Sequence, residues 1–357
     1  MTLSLYVDTD RWRAHQRALL AEFPGLVPVA KGYGYGFGNR RLAQEAALLG
    51  TGCLAVGTAA EAAEVLRERE QPHGFPGEVL VLTPYRVGEE AAELPGEGVL
   101  RTVASVEALR ALSQAPEPTR VVVECMTSMR RHGVAPAELA HLAEAAAGGS
   151  GSVIEGFALH LPLDRPDGSD SAAEVSDWVQ AIETAQLPAE HIYLSHLGSG
   201  GIAWLNVRHP ASTFHSRIGT RLWLGELEAL QAGATVLDVT AVARGERYGY
   251  RQHKAPSAGH LLVVSGGTAH GVGLEAPRYV RGLLPRAKAI ARAGLATLNR
   301  TLSPYQWNGR QLWYAEPPHM QVSIVFLPGG GKPPAIGDEL AVTVRHTTTR
   351  FDRVTDR

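Results

Sequence analysis

The sequence predicts an α/β protein: a (β/α)8, TIM-type barrel followed by a mainly β C-terminal domain. Three observations lead there. Over the first two thirds of the chain, short apolar runs alternate with amphipathic, Ala-rich stretches. These strand–helix units recur at spacings of roughly 20–35 residues, as parallel strands with crossover helices do, and their number favours a barrel over an open sheet. After about Leu230 the helical stretches give way to β-type runs joined by Gly- and Pro-rich turns.

The elements follow in order. Residues 26–30 form an apolar run that ends at Lys31, and 40–49 are Ala-rich and helical. A strand at 53–57 leads into a helix at 59–69, and a further strand lies at 79–82. Residues 100–103 precede a helix at 106–112, and the strand at 120–125 precedes one at 136–147. The strand at 153–160 precedes a helix at 172–185, and the apolar runs at 191–195 and 222–224 close the series. Beyond it, 236–242, 261–264, 320–327 and 340–344 read as strands, with a single helical stretch at 285–298. The expected division is therefore a barrel over 1–230 and a β domain over 231–357.

Composition narrows the function classes. The 357 residues carry 34 Lys and Arg against 36 Asp and Glu, a net charge of −2, which argues against nucleic-acid binding by charge. No stretch of about 18 apolar residues exists to span a membrane, and the N-terminus has neither a basic nor a long apolar segment of the signal-peptide kind. The expectation is a cytoplasmic protein. Cys53 and Cys125 each lie in an apolar run and read as two buried thiols, which suits a reducing compartment. The 14 histidines are scattered without ligand spacing, so no metal is expected. The run 328–334 has three glycines before a lysine but lacks the strand–loop–helix context and Ser/Thr of a phosphate-binding P-loop.

The sharpest local signal is Lys31-Gly32-Tyr33-Gly34-Tyr35-Gly36-Phe37-Gly38, a lysine at the end of a buried strand followed by glycines alternating with aromatics. Desolvation there lowers a lysine's pKa and suits a Schiff base with a carbonyl cofactor. Alone, Lys31 also reads as a strand-terminal surface lysine before a flexible loop. The run resembles the pyridoxal-phosphate lysine motif of the alanine racemase family, and the resemblance continues in order from Leu5 to about Arg353. It implies a fold-type III pyridoxal-phosphate enzyme with a (β/α)8 barrel and a C-terminal β domain.

The resemblance assigns roles position by position. Lys31 matches the lysine that carries pyridoxal 5'-phosphate and serves as one of two bases. Tyr35 matches a tyrosine that hydrogen-bonds the cofactor phosphate. In Thr127-Ser128-Met129-Arg130-Arg131-His132-Gly133, Arg131 matches the arginine near the cofactor O3′ and the substrate carboxylate. His160, ending Glu155-Gly156-Phe157-Ala158-Leu159-His160, matches a cofactor-flanking histidine. Ser199, in Ser195-His196-Leu197-Gly198-Ser199, matches a phosphate ligand. In Ser216-Arg217-Ile218-Gly219-Thr220, Arg217 would face the pyridine nitrogen, with Ile218, Gly219 and Thr220 at the phosphate, the last two through backbone N–H groups. Tyr248, in Arg247-Tyr248-Gly249, becomes the second base, reaching the site of the neighbouring subunit of a homodimer. Without the resemblance, Arg131 and Arg217 read as surface ion pairs, His160 as a satisfied core histidine, Ser199 as a turn residue and Tyr248 as a strand aromatic.

The chemistry accounts for these residue types. Racemisation takes the α-proton from one face and returns it to the other, so it needs two bases on opposite faces, Lys31 and Tyr248. A tyrosine must be made more acidic for this, and His160 and Arg131 are the candidates to supply the field. An arginine at the pyridine nitrogen disfavours its protonation and so limits side reactions. Fold-type III decarboxylases share the string His-x-Gly-Ser, met here by His196-Leu197-Gly198-Ser199, but place a glutamate from Glu-Pro-Gly-Arg at that nitrogen; no such string occurs here. A decarboxylase or lyase, and a cofactor-binding regulatory relative without turnover, are the competing readings.

Four positions depart from the family pattern. Glu124 stands where a lysine, often carbamylated, is usual, and as a carboxylate it is expected to orient Arg131. Thr268 and Gln321, the latter after Met320, replace the tyrosine and aspartate that narrow the substrate entrance. Thr349 takes the place of a phosphate-binding tyrosine. With smaller or uncharged groups at the entrance and pocket, the expected substrate is a small amino acid other than simply alanine.

Overall fold

The structure, a computed structural model of one chain, describes residues 2–89, 98–114, 118–148, 151–166, 168–274, 282–287, 290, 294, 301–329 and 331–357. The chain forms two compact units. One comprises Arg13–Gly34 and Gly38–Gly225; the other takes the chain up to Trp12, Tyr35–Phe37 and Glu226–Arg357. The first strand, β1 (Leu3–Val7), and helix α1 (Thr9–Glu22) open the chain.

The first unit is a closed parallel barrel of eight strands. They are β2 (Leu26–Ala30), β3 (Cys53–Val56), β4 (Glu78–Val81), β5 (Val99–Val103), β6 (Thr119–Glu124), β7 (Ser152–His160), β8 (His191–Ser195) and β9 (Thr213–Ile218). Closure is direct: Leu26, Val27 and Pro28 of β2 pair with Ser216, Arg217 and Ile218 of β9. The helices in this part of the chain are α2 (Asn39–Leu48), α3 (Ala59–Arg67), α4 (Val106–Ser113), α5 (Leu139–Ala147), α6 (Ser171–Thr184), α7 (Ser199–Arg208) and α8 (Thr220–Leu224). Thr58, Ser105 and Asp170 start α3, α4 and α6 by accepting backbone N–H bonds, the usual work of an N-cap oxygen.

Two apolar layers hold the barrel. Inside, Val27, Val29, Ala55, Leu80, Leu100, Val122, Ala158 and Tyr193 fill the axis. A second, larger cluster, to which Leu109, Leu142, Phe157 and Trp178 belong, packs strands against helices. The alternation in the sequence foretells this core, but it misplaces the closing strand. Residues 222–224 were expected to end the series as a strand, yet they lie in α8, where Leu222 and Trp223 are buried. The eighth strand is Thr213–Ile218 instead. Its inward positions carry polar groups, among them Arg217, so it lacks the continuous apolar run that marks buried parallel strands.

The second unit is a mainly antiparallel sheet in which β1 joins the strands that follow the barrel. Its strands are β1 with β10 (Leu230–Val242), β13 (Gly259–Ser265), β14 (Leu302–Trp307), β15 (Arg310–Tyr314), β16 (Val322–Pro328), β17 (Glu339–Val342) and β18 (Arg353–Asp356). A separate hairpin joins β11 (Arg247–Tyr248) to β12 (His253–Lys254). β1 runs antiparallel to β10 and parallel to β18, so the opening strand belongs to this sheet and not to the barrel. Leu3, Val236, Leu262, Tyr305, Val325 and Leu340 centre its core. Of the helix expected at 285–298, residues 285–287, 290 and 294 are helical; its other positions lie outside the described residues. Among the described residues no helix is long and apolar enough to cross a membrane.

The N-terminal end of the barrel is polar. Arg120 is paired with Glu78 and, at 2.7 Å, with Glu155. Beside them His191 Nδ1 and His215 Nε2 lie 3.1 Å apart, and His215 stacks on Tyr193 at 4.7 Å. Burial, and secondarily His191, push His215 down to about 4. Below about pH 6.5 the unfolded chain takes up a proton that the folded ring refuses. The stability from this group is complete above that pH and drains as the pH falls toward about 4. Urea midpoints should therefore drop from pH 7 to pH 5, and His215→Phe, which keeps the stacked ring, should flatten that slope.

Candidate active site

The C-terminal ends of the barrel strands are where this fold gathers its chemistry. Lys31 follows β2 directly. The loop after it has Gly32, Gly34, Gly36 and Gly38 all at positive φ, and Tyr35 joins them at φ 54°. Such a winding turn is open to glycine at little cost, and a Cβ on Gly36 would come within 2.9 Å of the Phe351 ring. Buried Tyr35 and Phe37 belong to the sheet unit, where Phe37 stacks on Trp12 at 4.6 Å.

Glu124 ends β6 and Arg217 lies near the end of β9; each side chain is 3% exposed, and Arg217 Nη1 donates to Glu124 Oε2 at 3.4 Å. The other oxygen, Oε1, lies 3.9 Å from Arg131 Nη2. One buried carboxylate thus serves two arginines, of which Arg131 is 46% exposed. Arg217 Nε and Nη2 are buried without a hydrogen-bond partner, so they offer two donors to an acceptor at this end of the barrel. The Arg131 loop is tied at several points: Thr127 Oγ1 donates to the His160 carbonyl at 2.6 Å, and Glu174 accepts from the Ser128 N–H at 2.6 Å.

His160 ends β7 and stands edge-on to His196, ring centroids 5.0 Å apart. Desolvation, then Arg131 and Arg217, push His160 down to about 3. Desolvation and the same cations, with Lys31, also lower His196. Lys31 itself is lowered, first by desolvation and then by Arg131 and Arg217, with Glu61 acting the other way. At neutral pH both imidazoles are therefore uncharged, and the lysine gives up its proton more readily than an isolated one.

Two helix starts face the same end of the fold. α7 begins at Ser199 after Gly198, and α8 at Thr220 after Gly219; neither has a side-chain cap. Unpaired N–H groups at helix starts suit an anion. Ser199 Oγ donates to Glu22 at 3.2 Å, and Glu22 also pairs with Arg221 at 2.5 Å. Ile218 ends β9 immediately before.

The remaining candidates lie in the sheet unit. Tyr248 is half-buried on the β11–β12 hairpin, and burial together with Glu316 raises its pKa. Burial first and Glu316 second both act against the lowering expected for a base. Thr268 and Met320 are brought together by backbone bonds, Thr268 N–H to the His319 carbonyl at 2.9 Å and Ala269 N–H to the Met320 carbonyl at 2.9 Å. Met320 and Gln321 are exposed. Thr349 is buried, and its hydroxyl donates to the Arg345 carbonyl at 2.9 Å. Among the described residues no group of three or more His, Cys, Asp and Glu is placed to hold a metal ion.

The sequence reading passed over three groups, Glu61, Glu316 and His319, and gave His196 no role of its own. Buried Glu316 accepts from His319 Nε2 at 2.8 Å and from the Tyr250 N–H at 2.9 Å, next to Tyr248. Glu61 bridges the Lys31 loop to the start of α3, and the string Thr58-x-x-Glu61 after a strand is a capping-box signal that marks it in the sequence.

A closed parallel barrel with a lysine, two arginines sharing a carboxylate and two neutral histidines at its C-terminal face defines a (β/α)8-barrel protein with a cation-rich site where that fold does its chemistry. The chain belongs to the alanine racemase family: the family model for the alanine racemase N-terminal domain matches residues 7–226. An alanine racemase of Symbiobacterium thermophilum is 27% identical over 263 residues, 64% of this chain and 68% of that protein. In fold, the chain resembles the alanine racemase of Clostridium difficile 630, with a TM-score of 0.72 at 14% identity over 100% of this chain and 96% of that one. The alanine racemase of Bartonella henselae with covalently bound pyridoxal phosphate gives 0.67 at 19% identity, over 97% and 91%.

Glu124 should be the most costly of these groups to remove. Without it Arg217 is left buried and uncompensated, so Glu124→Ala is expected to lose about 3–5 kcal/mol in urea unfolding. The exposed Arg131 contact adds little to that figure.

Proposed function

We propose that the chain is a pyridoxal-phosphate-dependent amino-acid racemase working as a homodimer. The observation that carries this is Lys31 at the end of the first barrel strand, facing Arg131 and an Arg217 whose buried Nε and Nη2 lack a partner. An aromatic ring nitrogen carrying a lone pair is the kind of acceptor those donors fit. Membership of the alanine racemase family and the bound cofactor of the Bartonella henselae relative support the same reading.

When bound, the cofactor supplies the electron sink that makes the α-proton of an amino acid removable. The chain's own residues do the rest. Lys31 holds the cofactor and accepts or returns the proton on one face. Tyr248 of the neighbouring subunit does so on the other, and the cations of the barrel mouth lower its phenol there against the upward push of burial and Glu316. Arg131, steadied by Glu124, binds the substrate carboxylate. Arg217, with its buried and unpartnered Nε and Nη2, would donate to the ring nitrogen and so disfavour its protonation. His160 flanks the ring as a neutral imidazole. Within the barrel unit, Ser199 and the N–H groups of Gly219 and Thr220, next to Ile218, would hold the phosphate.

Thr268, Gln321 and Thr349 are small or uncharged where the family narrows its pocket, so the substrate is an amino acid larger than alanine. A panel of L- and D-amino acids in D2O, followed by deuterium incorporation and chirality, tests both points. Exchange with inversion is expected for at least one amino acid larger than alanine; a clear preference for alanine over all larger ones would remove the substrate proposal. Tyr248→Phe should lower inversion by at least about a hundredfold while cofactor stays bound. An unchanged rate would remove Tyr248 as a base.

A further inference from the structure

Glu61 stands outside the roles assigned so far, yet its carboxylate is fully engaged around Lys31. Oε1 accepts from the Gly32 N–H at 2.7 Å, the peptide immediately after Lys31. Oε2 accepts from the Gly57 N–H at 2.7 Å and the Thr58 N–H at 3.2 Å, at the end of β3. The carboxylate therefore staples the lysine loop to the next barrel strand. Gly57 makes the approach possible: a Cβ there would lie 2.7 Å from Glu61 Oε2 and 3.1 Å from Lys31 Cβ. The backbone of one strand end, the carboxylate and the lysine side chain fill one small space.

The charge matters as well as the geometry. Arg131 and Arg217 act on Lys31 as cations, and His160 and His196 face it as neutral rings. Glu124 is held between the arginines. Glu61 is the carboxylate that acts on Lys31 in the direction opposite to the arginines.

We propose that Glu61 is a positioning residue for Lys31, tying its loop through the Gly32 N–H to the Gly57 and Thr58 N–H groups at the end of β3 and keeping a negative charge beside its amino group. This rests on Lys31 being the cofactor-bearing residue. The staple sets where the amino group stands, and the charge keeps the amine from losing its proton too early in a mouth crowded with arginines. Desolvation and two cations alone would leave an amine that is neutral over a wider pH range and less able to carry a proton between partners.

The test uses the full chain with cofactor removed. Lys31 is labelled with 1-fluoro-2,4-dinitrobenzene between pH 7 and 10.5, and its peptide is followed by mass spectrometry. Glu61→Gln keeps the size and one acceptor oxygen but loses the charge, so Lys31 should label about three- to tenfold faster at pH 8. Glu61→Asp keeps the charge and should stay within about twofold of the parent rate. Equal labelling of parent and Glu61→Gln would overturn the proposal. So would a Glu61→Asp change as large as that of Glu61→Gln, which would mark a purely mechanical role. Borohydride trapping of pyridoxal phosphate on Lys31 of the unaltered chain is read separately. Its failure would remove the functional reading and leave the labelling result standing, whereas unequal labelling is not needed for trapping to succeed.

Discussion

Placing two arginines beside a lysine at the mouth of one barrel is an electrostatic problem, and the chain meets its arginine half with a single carboxylate. Arg217 is as buried as any core residue, and a guanidinium cannot shed its charge to escape that environment. Glu124 makes the burial tolerable and in the same stroke steadies Arg131. Removing either partner of such a pair strands a charge in low dielectric, whereas the intact pair roughly balances its desolvation. Much of the mouth depends on that arrangement. Burial first, and the arginines' field after it, keep His160 and His196 neutral and press on Lys31.

The carboxylates divide the labour. Glu124 faces the arginines and leaves Lys31 to Glu61, which also spends both its oxygens on backbone N–H groups. Each acid is consumed by a specific set of donors, so neither is free to neutralise the mouth as a whole. A cationic opening with committed acids raises the local concentration of anions.

Much of this was legible in the residues. Alternating strands and helices give the barrel, because a strand buried on both faces must be apolar and a surface helix must be amphipathic. Lys31, Arg131, His160 and Arg217 were singled out by the strings around them, and the fold brings all four to one end of the barrel. What escaped was what sequence encodes only through contact. Thr213–Ile218 hid as a strand because its inward side chains are polar, and 222–224 looked like one because a short buried helix is as apolar as a strand. The tie between Glu124 and Arg217 spans 93 residues of sequence, and no local pattern announces it. β1 pairs with strands more than two hundred residues away, which periodicity cannot register.

That last pairing bears on how the protein is made. Leu3 and Leu5 are fully buried in a sheet whose other strands begin at Leu230 and end at Asp356. At about 5–20 residues per second, the ribosome leaves β1 without β10 for roughly 10–45 s. The barrel strands are all synthesised in that interval, while a hydrophobic five-residue segment waits with both edges unpaired. The nascent chain therefore carries an unpaired, sticky β1 throughout synthesis of the barrel, and this part of the sheet can lock only once β10 and β18 have left the exit tunnel. A change in β1 or in β18 would act on one shared assembly step, and two strands more than three hundred residues apart are in this sense a single structural element.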